Sequence, residues 1–389
     1  MQRAADKIAR LCAEPRDIAT LWTEVSEVVA GVIPHYWTPC WYTLDPASLL
    51  MTSHFHLGLD EFPNEWLAAE YYEDDVHSVV GVMRSAAGIS TLHEASGGDP
   101  SHSPRWQRNQ IMGSDQELIA RLRTRSGEVW GALALYRVSG ESMFSALEKS
   151  FVTEVAPSLA DGARRALLFG QAEEPEYADS PGLLVLKENW EIESATPGVA
   201  RWMDELPDGD WEQGRLPAAV TTLAGRTLRD AEERGRAGEV AVSRVLSRSG
   251  TWVVLHGACL TSARERRIAV IVEPAHPSRI YPLLMSAYGL TEREKEVVRL
   301  VLQGGSTTDI SASLKVSAYT VQQHLKSIFD KTGVHSRRDL VGKVFFTHYE
   351  PRFRDNEKRV LADKSVRGGP WPEPDQGIRR QETKPIQPG

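Results

Sequence analysis

One short device recurs four times between Gly289 and Phe346, and it leaves the C-terminal part of this chain little choice of fold. A Ser or Thr is followed three residues later by an acid or a Thr, and then by an apolar run. The four starts are Thr291 with Glu294, Ser306 with Asp309, Ser317 with Thr320, and Ser336 with Asp339. Each is a helix N-cap signal, because the hydroxyl accepts from a free N–H of the first turn. Where the third position is an acid it can return a bond to the cap's own N–H and close a capping box. Gly304-Gly305 and Gly333 separate the helices, and Lys315-Val316 joins the second to the third. Within each run the apolar residues fall at helical spacing. The sets are Val297, Val298, Val301 and Leu302, then Ile310 and Leu314, then Val321, Leu325, Ile328 and Phe329, then Leu340, Val341, Val344 and Phe345. Val316 and Val334 would plug the ends.

Four short helices with a tight joint between the second and third make a helix-turn-helix module. In that motif the N-terminal half of the second helix of the pair enters the major groove. The residues left outside the apolar stripe there are Ala318, Tyr319, Thr320, Gln322, Gln323 and Lys326. Gln can pair bidentately with adenine, and Lys reaches a guanine edge or a phosphate. Thr307, Ser317, Arg337 and Arg338 complete the expected DNA-facing set, the two arginines as phosphate contacts. The alternative is a solvated polar face on a small domain that docks a protein partner. Residues 288–353 hold ten basic against seven acidic residues, whereas the whole chain is at −8. The negative charge therefore lies upstream, so a polyanion would be drawn to one end of the molecule with a strong dependence on salt.

These residues resemble a known family. Leu290-Thr291-Glu292-Arg293-Glu294, Glu296-Val297, Ser306 to Ile310, Thr320-Val321-Gln322-Gln323-His324-Leu325 and Ser336-Arg337-Arg338-Asp339-Leu340-Val341 are similar to the LuxR-type (GerE-like) DNA-binding domain. The resemblance implies that the third helix reads the major groove and the fourth pairs two subunits. The chain departs from the family's usual residues at Thr307-Thr308-Asp309, where Asn-Lys-Glu is common, and at Gln322, where Lys is common.

Two further domains are expected upstream. Asp17 can cap a helix through Ile33. Cys40 to Leu44 and Leu50 to Phe55 read as strands around a turn cluster. Residues 64–85 read as helical, Gln116 to Thr124 and Val129 to Val138 as a hairpin, and Ser145 with Glu148 as the start of a long helix to about Leu168. By this order of elements residues 1–170 resemble a GAF domain, which implies a small-molecule or chromophore sensor that dimerises through flanking helices. An acidic linker at 171–181 follows. Residues 182–275 resemble a PAS domain, another sensor fold. Its strands are expected at Gly182 to Lys187, Trp190 to Glu193, Ala241 to Arg248, Thr251 to Thr261 and Arg267 to Glu273. Helices are expected at Pro197 to Met203 and Leu216 to Glu233, with a tight hairpin turn at Arg264 to Arg267. The expected fold is thus multidomain α+β: two α/β sensor domains, GAF-like and PAS-like, followed by an all-α four-helix LuxR-type helix-turn-helix domain at 284–350. The Pro- and Gly-rich stretch at 354–389 is expected to be a disordered tail.

The first domain carries a dense aromatic and histidine set that includes Tyr36, Trp66, Tyr71, His77 and Trp106. Trp37, Trp41, Tyr42, His54, His56 and Tyr72 are its candidates for an effector pocket, since small ligands use aromatic-lined concavities with a few polar groups. His54 and His56 lie two apart on an expected strand and so share a face. Two ligands are too few to define a metal site, and neither a metal nor a cofactor is expected. A haem, metal or redox sensor remains the alternative class. Cys12, Cys40 and Cys259 lack metal-type spacing and read as buried or incidental thiols in a reducing cytoplasm. No G-x-x-x-x-G-K loop, G-x-S-x-G elbow or H-E-x-x-H pair is present, so no catalytic residue is assigned. At 41% hydrophobic and 25% charged, with no apolar run long enough for a bilayer and no apolar leader, the chain reads as a globular protein off the membrane. The expected partners are double-stranded promoter DNA, RNA polymerase, a small-molecule effector at the GAF-like domain and a second copy of the chain.

Overall fold

The computed structural model describes residues 1–14, 16–57, 63–166, 181–234, 240–261, 265–275, 285–302 and 304–341. The linker expected at 171–181 lies, but for Pro181, outside the described residues. So do the tail at 354–389, the fourth-helix positions Val344 and Phe345, and residue 264 of the expected hairpin turn.

The chain opens with two helices, α1 (Gln2–Ala13) and α2 (Ile18–Ala30). Asp17 caps α2 as expected, its carboxylate accepting from Thr20 N at 2.9 Å. α1 was not anticipated. Ala5, Ile8 and Cys12 nevertheless recur at three- and four-residue spacing and form its buried stripe. β1 (Cys40–Leu44) and β2 (Met51–Phe55) follow, then α3 (Asn64–Tyr72) and α4 (Val79–Arg84) in place of one continuous helix. The break comes at Glu73, whose extended backbone ends α3; Ser78 starts a new helix by capping Gly81 N at 3.0 Å. β3 (Ile89–Thr91), α5 (Leu92–Ala95) and α6 (Pro104–Ile111) were not foreseen. The hairpin β4 (Gln116–Arg123) and β5 (Val129–Arg137) and the long α7 (Ala146–Ala166) close the domain close to the expected bounds.

The strands form one antiparallel sheet in the order β2-β1-β5-β4-β3. Successive side chains point to opposite faces, and the two faces have different partners. Trp41, Leu118, Ala120, Leu122, Leu133 and Leu135 face α1, α2 and α7. Tyr42, Ile119, Ala132, Ala134 and Tyr136 face α3, α4 and the second domain.

That second domain contains β6 (Gly182–Lys187), β7 (Ile192–Ala195), α8 (Val199–Glu205), α9 (Ala218–Arg234), β8 (Ala241–Leu246), β9 (Trp252–Thr261) and β10 (Arg266–Pro274). Its sheet, β7-β6-β10-β9-β8, has the same strand order as the first. β10 already begins at Arg266, so Arg266 and Arg267 are strand rather than turn. α8 begins at Val199, two residues later than expected, behind Gly198, which makes no side-chain cap bond.

The two sheets are joined through α9, which lies against α3. Gly225 lets the backbones meet: a Cβ there would stand 2.3 Å from Ala68 O. Thr222 Oγ1 donates to Met51 O at 3.0 Å, and Arg244 Nη1 meets Asp45 Oδ2 at 3.0 Å.

The C-terminal part is all helical: α10 (Glu292–Leu302), α11 (Thr307–Leu314), α12 (Ala318–Thr332) and the start of a further helix at 337–341. Val297, Val298, Val301, Ile310, Val321, Leu325, Ile328, Val334 and Leu340 are its buried core, as their spacing requires. Phe329 and Leu314 pack against it partly buried, whereas Val341, read as core, is 38% exposed. This part touches the first domain. Arg164 on α7 donates to Ala287 O at 2.7 Å, and Lys295 Nζ is 3.8 Å from Glu128 Oε1 in the β4–β5 turn.

Candidate nucleic-acid interface

The caps are in place. Thr291 Oγ1 accepts from Glu294 N at 3.3 Å while Glu294 Oε2 accepts from Thr291 N at 2.7 Å. Ser306 Oγ accepts from Asp309 N at 3.2 Å and Asp309 Oδ2 from Ser306 N at 2.9 Å, a second reciprocal box. Ser317 Oγ accepts from Thr320 N at 3.0 Å, and Ser336 Oγ from Asp339 N at 3.0 Å. Between α11 and α12 the turn depends on Lys315, whose φ of 54° is left-handed. Gly or Asn is the usual residue at such a C-cap, so the sequence carried no signal for it. Val316 N then closes back on Ser311 O at 3.1 Å.

With the turn and the cap set, α12 presents a polar face. Ala318, Tyr319, Gln322, Gln323 and Lys326 are exposed, Tyr319 to 73%. Thr320 is half-buried, its hydroxyl 2.8 Å from Ser317 Oγ. Among the described residues no element of the two sheet domains covers this face. Arg338 is exposed too. Arg337 is occupied otherwise: half-buried, it donates to Gly305 O at 2.8 Å and to Thr307 Oγ1 at 2.8 Å. Arg337 and Thr307, both expected in the DNA-facing set, are thus bonded to each other in this structure, and they tie the start of α11 to the start of the fourth helix.

One buried acid braces the module from behind. Glu294, 4% exposed, accepts from Ser327 Oγ and Lys331 Nζ on α12, both at 2.6 Å. Burial alone would raise its pKa, but the bonds from Lys331, Ser327 and Thr291 N outweigh burial and leave it lowered. Glu294→Ala is expected to weaken the module by about 2 kcal/mol, the scale of hydrogen bonds to a charged group. A lowered carboxylate contributes its stability above the ordinary Glu pKa of about 4.3 and loses it as pH falls through the folded value. The deficit of the variant should therefore shrink in acid. Hydrogen exchange of α10 and α12 amides at two pH values checks both statements.

The aromatic set of the first domain does not assemble as expected. Trp41 and Tyr42 are adjacent strand residues and face opposite sides. Trp41 stacks on Trp22 at 4.5 Å and donates Nε1 to Ser26 Oγ at 2.8 Å, as part of the helical core. His54 Nδ1 is 3.0 Å from Asp208 Oδ2 of the second domain, and His56 lies beside it with ring centroids 5.3 Å apart. Tyr72 donates to Glu232 Oε1 at 2.9 Å, also across to the second domain. Of the six candidates, Trp37 and Tyr42 line one cavity among the described residues, together with Trp66, Glu70, Arg105, Asn109 and Tyr136. Its volume is about 40 Å³, room for water rather than for an organic ligand.

The sequence reading missed what fills this region, a buried ion cluster. Arg105 is 6% exposed and Glu117 fully buried; Nε and Nη2 of the arginine donate to the two carboxylate oxygens at 2.6 and 2.7 Å. Nη1 of the same arginine reaches Glu70, and Asn109 Nδ2 donates to Glu117 at 3.1 Å. Among the described residues no group of three or more His, Cys, Asp or Glu is arranged to hold a metal ion. Cys12 and Cys40 are buried and Cys259 half-buried; burial pushes the Cys12 thiol up to about 12, which keeps it protonated and unreactive at neutral pH. No helix among the described residues is long and apolar enough to cross a membrane.

Residues 289–344 match the family of bacterial regulatory proteins of the luxR type. Over 56 residues the chain is 41% identical to the monoamine regulon transcriptional regulator of Klebsiella aerogenes, a match covering 14% of this chain and 25% of the relative. Over 66 residues it is 36% identical to the transcriptional regulator MalT of Yersinia enterocolitica, covering 17% of this chain and 7% of the relative. The chain thus spans a quarter or less of these curated relatives. Among solved structures, the phycoerythrobilin-bound GAF domain of a cyanobacterial phytochrome aligns over 43% of this chain and 95% of its own length, at 15% identity and a TM-score of 0.31.

Proposed function

We propose that this chain, whose residues 289–344 are a LuxR-type helix-turn-helix domain, is a transcriptional regulator that binds double-stranded promoter DNA as a homodimer in the cytoplasm. The observation that carries the reading is the uncovered polar face of α12, held by the Ser317 cap and the Lys315 turn. Its side chains are the right kind for base edges: Gln322 and Gln323 for adenine, Lys326 for guanine or phosphate. Tyr319, Thr320, Ser317 and Arg338 line the approach. Two such helices related by a two-fold axis would enter successive major grooves roughly 34 Å apart. RNA polymerase is the further partner such a regulator meets at a promoter.

The two upstream domains act in this reading as the sensory and dimerising part. A small-molecule effector can alter DNA binding only by favouring one arrangement of the DNA-binding heads over another. The contacts of α7 and the β4–β5 turn with residues 287–295 supply a route, because the first domain cannot rearrange there without moving the helical module.

Selection of duplexes from a random library by the full-length protein tests the proposal. Enrichment of a defined, two-fold related sequence is expected; no enrichment after repeated rounds would remove it. On the selected duplex, Lys326→Ala should flatten the dependence of log affinity on log salt by about one unit, since one phosphate contact is lost. An unchanged slope would show that Lys326 points at a base or at nothing.

A further inference from the structure

On the polar face of α12 the glutamines and Lys326 have hydrogen bonds to offer a duplex, whereas Tyr319 offers chiefly a ring. It is 73% exposed; among the described residues of the helical module the only other exposed large apolar side chain is Val341, at 38%. Its ring stacks on nothing and its hydroxyl bonds to nothing among those residues.

The helical period places that ring. At 3.6 residues per turn, Ala318, Tyr319, Gln322, Gln323 and Lys326 fall within about 140° of the helix circumference, opposite the buried Val321, Leu325 and Ile328. Within this arc Tyr319 stands between Gln322 and Gln323, one turn nearer the N-terminus. Side chains on a helix lean toward its N-terminus, so both glutamines lean over the turn that carries the tyrosine. The polar residues of that first turn are engaged with each other: Ser317 Oγ caps Thr320 N and lies 2.8 Å from the Thr320 hydroxyl. What the N-terminal turn offers to a major groove is therefore the Ala318 methyl and the Tyr319 ring. Covering an apolar ring on contact is favourable. The apolar group that a base pair presents in the major groove is the C5 methyl of thymine. The glutamines beside the ring suit adenine, and adenine's partner is thymine, so one A·T step satisfies both.

We propose that the N-terminal half of α12 reads an A·T half-site. The Tyr319 ring and the Ala318 methyl pack on the C5 methyl of a thymine, and Gln322 or Gln323 bonds the adenine of the same or the next pair. The inference rests on the DNA-binding reading above and adds the class of sequence that this face takes.

The probe is the duplex selected by the full-length protein. Its thymines are replaced one position at a time by deoxyuridine, which removes the methyl and leaves the hydrogen-bonding edge intact. One position should weaken binding about fourfold in each half-site, the worth of one buried methyl, and the others hardly at all. Tyr319→Ala should bind the thymine duplex more weakly and no longer distinguish it from the deoxyuridine duplex at that position. Tyr319→Phe should keep the distinction in full. Neither substitution touches the core, because the side chain is exposed. A selected duplex indifferent to every thymine methyl, or with half-sites of G·C pairs throughout, would overturn the inference and leave DNA binding standing. So would a Tyr319→Ala protein that still tells thymine from deoxyuridine, since the methyl would then act through another residue or through the shape of the duplex. A Tyr319→Phe protein as weak as Tyr319→Ala would make the hydroxyl the contact and would overturn it as well. Failure to select any sequence would remove the inference together with the reading it rests on.

Discussion

Replacing Arg105 by methionine should cost the first domain about 4 kcal/mol, because removal of one partner from a buried ion pair leaves an uncompensated charge in the interior. The arginine bridges α6 to β4 and α3: Glu117 is fully buried, and Glu70 meets the third guanidinium nitrogen. In the natural protein burial alone would raise the pKa of Glu117, but Arg105 and His77 outweigh burial and hold it well below the usual carboxylate range. Its contribution is therefore complete above about pH 4.3 and is lost as pH falls through the lowered folded value. In the variant the sign inverts. Burial without the arginine raises the carboxyl, a proton must be taken up to keep it inside, and the penalty is greatest at neutral pH. The two proteins should converge in acid. Hydrogen exchange of β4 and α6 amides is the suitable measurement, since a chain of several domains has no single unfolding free energy. Protection at neutral pH should fall on the order of a thousandfold, the equivalent of that loss. Adding Glu117→Leu to the variant should restore part of it, since a buried ion pair can often be exchanged for apolar packing. Unchanged protection in the single variant would mean that water reaches the pair.

This cluster also shows where the sequence stops being informative. Arg105 and Glu117 are twelve residues apart in a stretch without periodicity, and nothing in one sequence distinguishes them from surface charges. β3, α5 and α6 are short, yet α5 and α6 carry local start signals that went unread: Thr91 caps Glu94 N, and Ser103 caps Trp106 N with Pro104 in the first turn. The bond of His54 to Asp208 spans 154 positions, so one sequence could not show that this candidate pocket residue is an interdomain joint. By contrast the helix-turn-helix was legible almost residue by residue. Its caps, its period and its punctuation are local signals that agree with one another. Even there two features were out of reach, the left-handed Lys315 and the inward engagement of Arg337. Both depend on what the neighbouring helix offers. Trp41 is a different case. The alternation of a strand already placed it opposite Tyr42, and grouping the two by composition obscured that.

The sharpest consequence for function concerns Gln322 and Gln323. Substituting both by alanine should lower affinity for the selected duplex by about 3 kcal/mol, roughly 150-fold, if each glutamine makes a base contact of the usual worth. Affinity for unrelated duplex should hardly change. Neither side chain is charged, so the phosphate contribution and the salt slope stay as they were. This pattern is the inverse of that expected for Lys326→Ala, which acts on slope and on all sequences alike. Folding should not intervene. Both glutamines are exposed, alanine is the better helix former, and the Ser317 cap and the Val321, Leu325 and Ile328 stripe remain. The two substitutions therefore separate recognition from stability, which a core or cap variant would confuse. Gel-shift titration against selected and scrambled duplexes gives both affinities. If the double variant kept its preference for the selected duplex, the polar face of α12 would not be the reading surface, and sequence recognition would have to come from another part of the helical module.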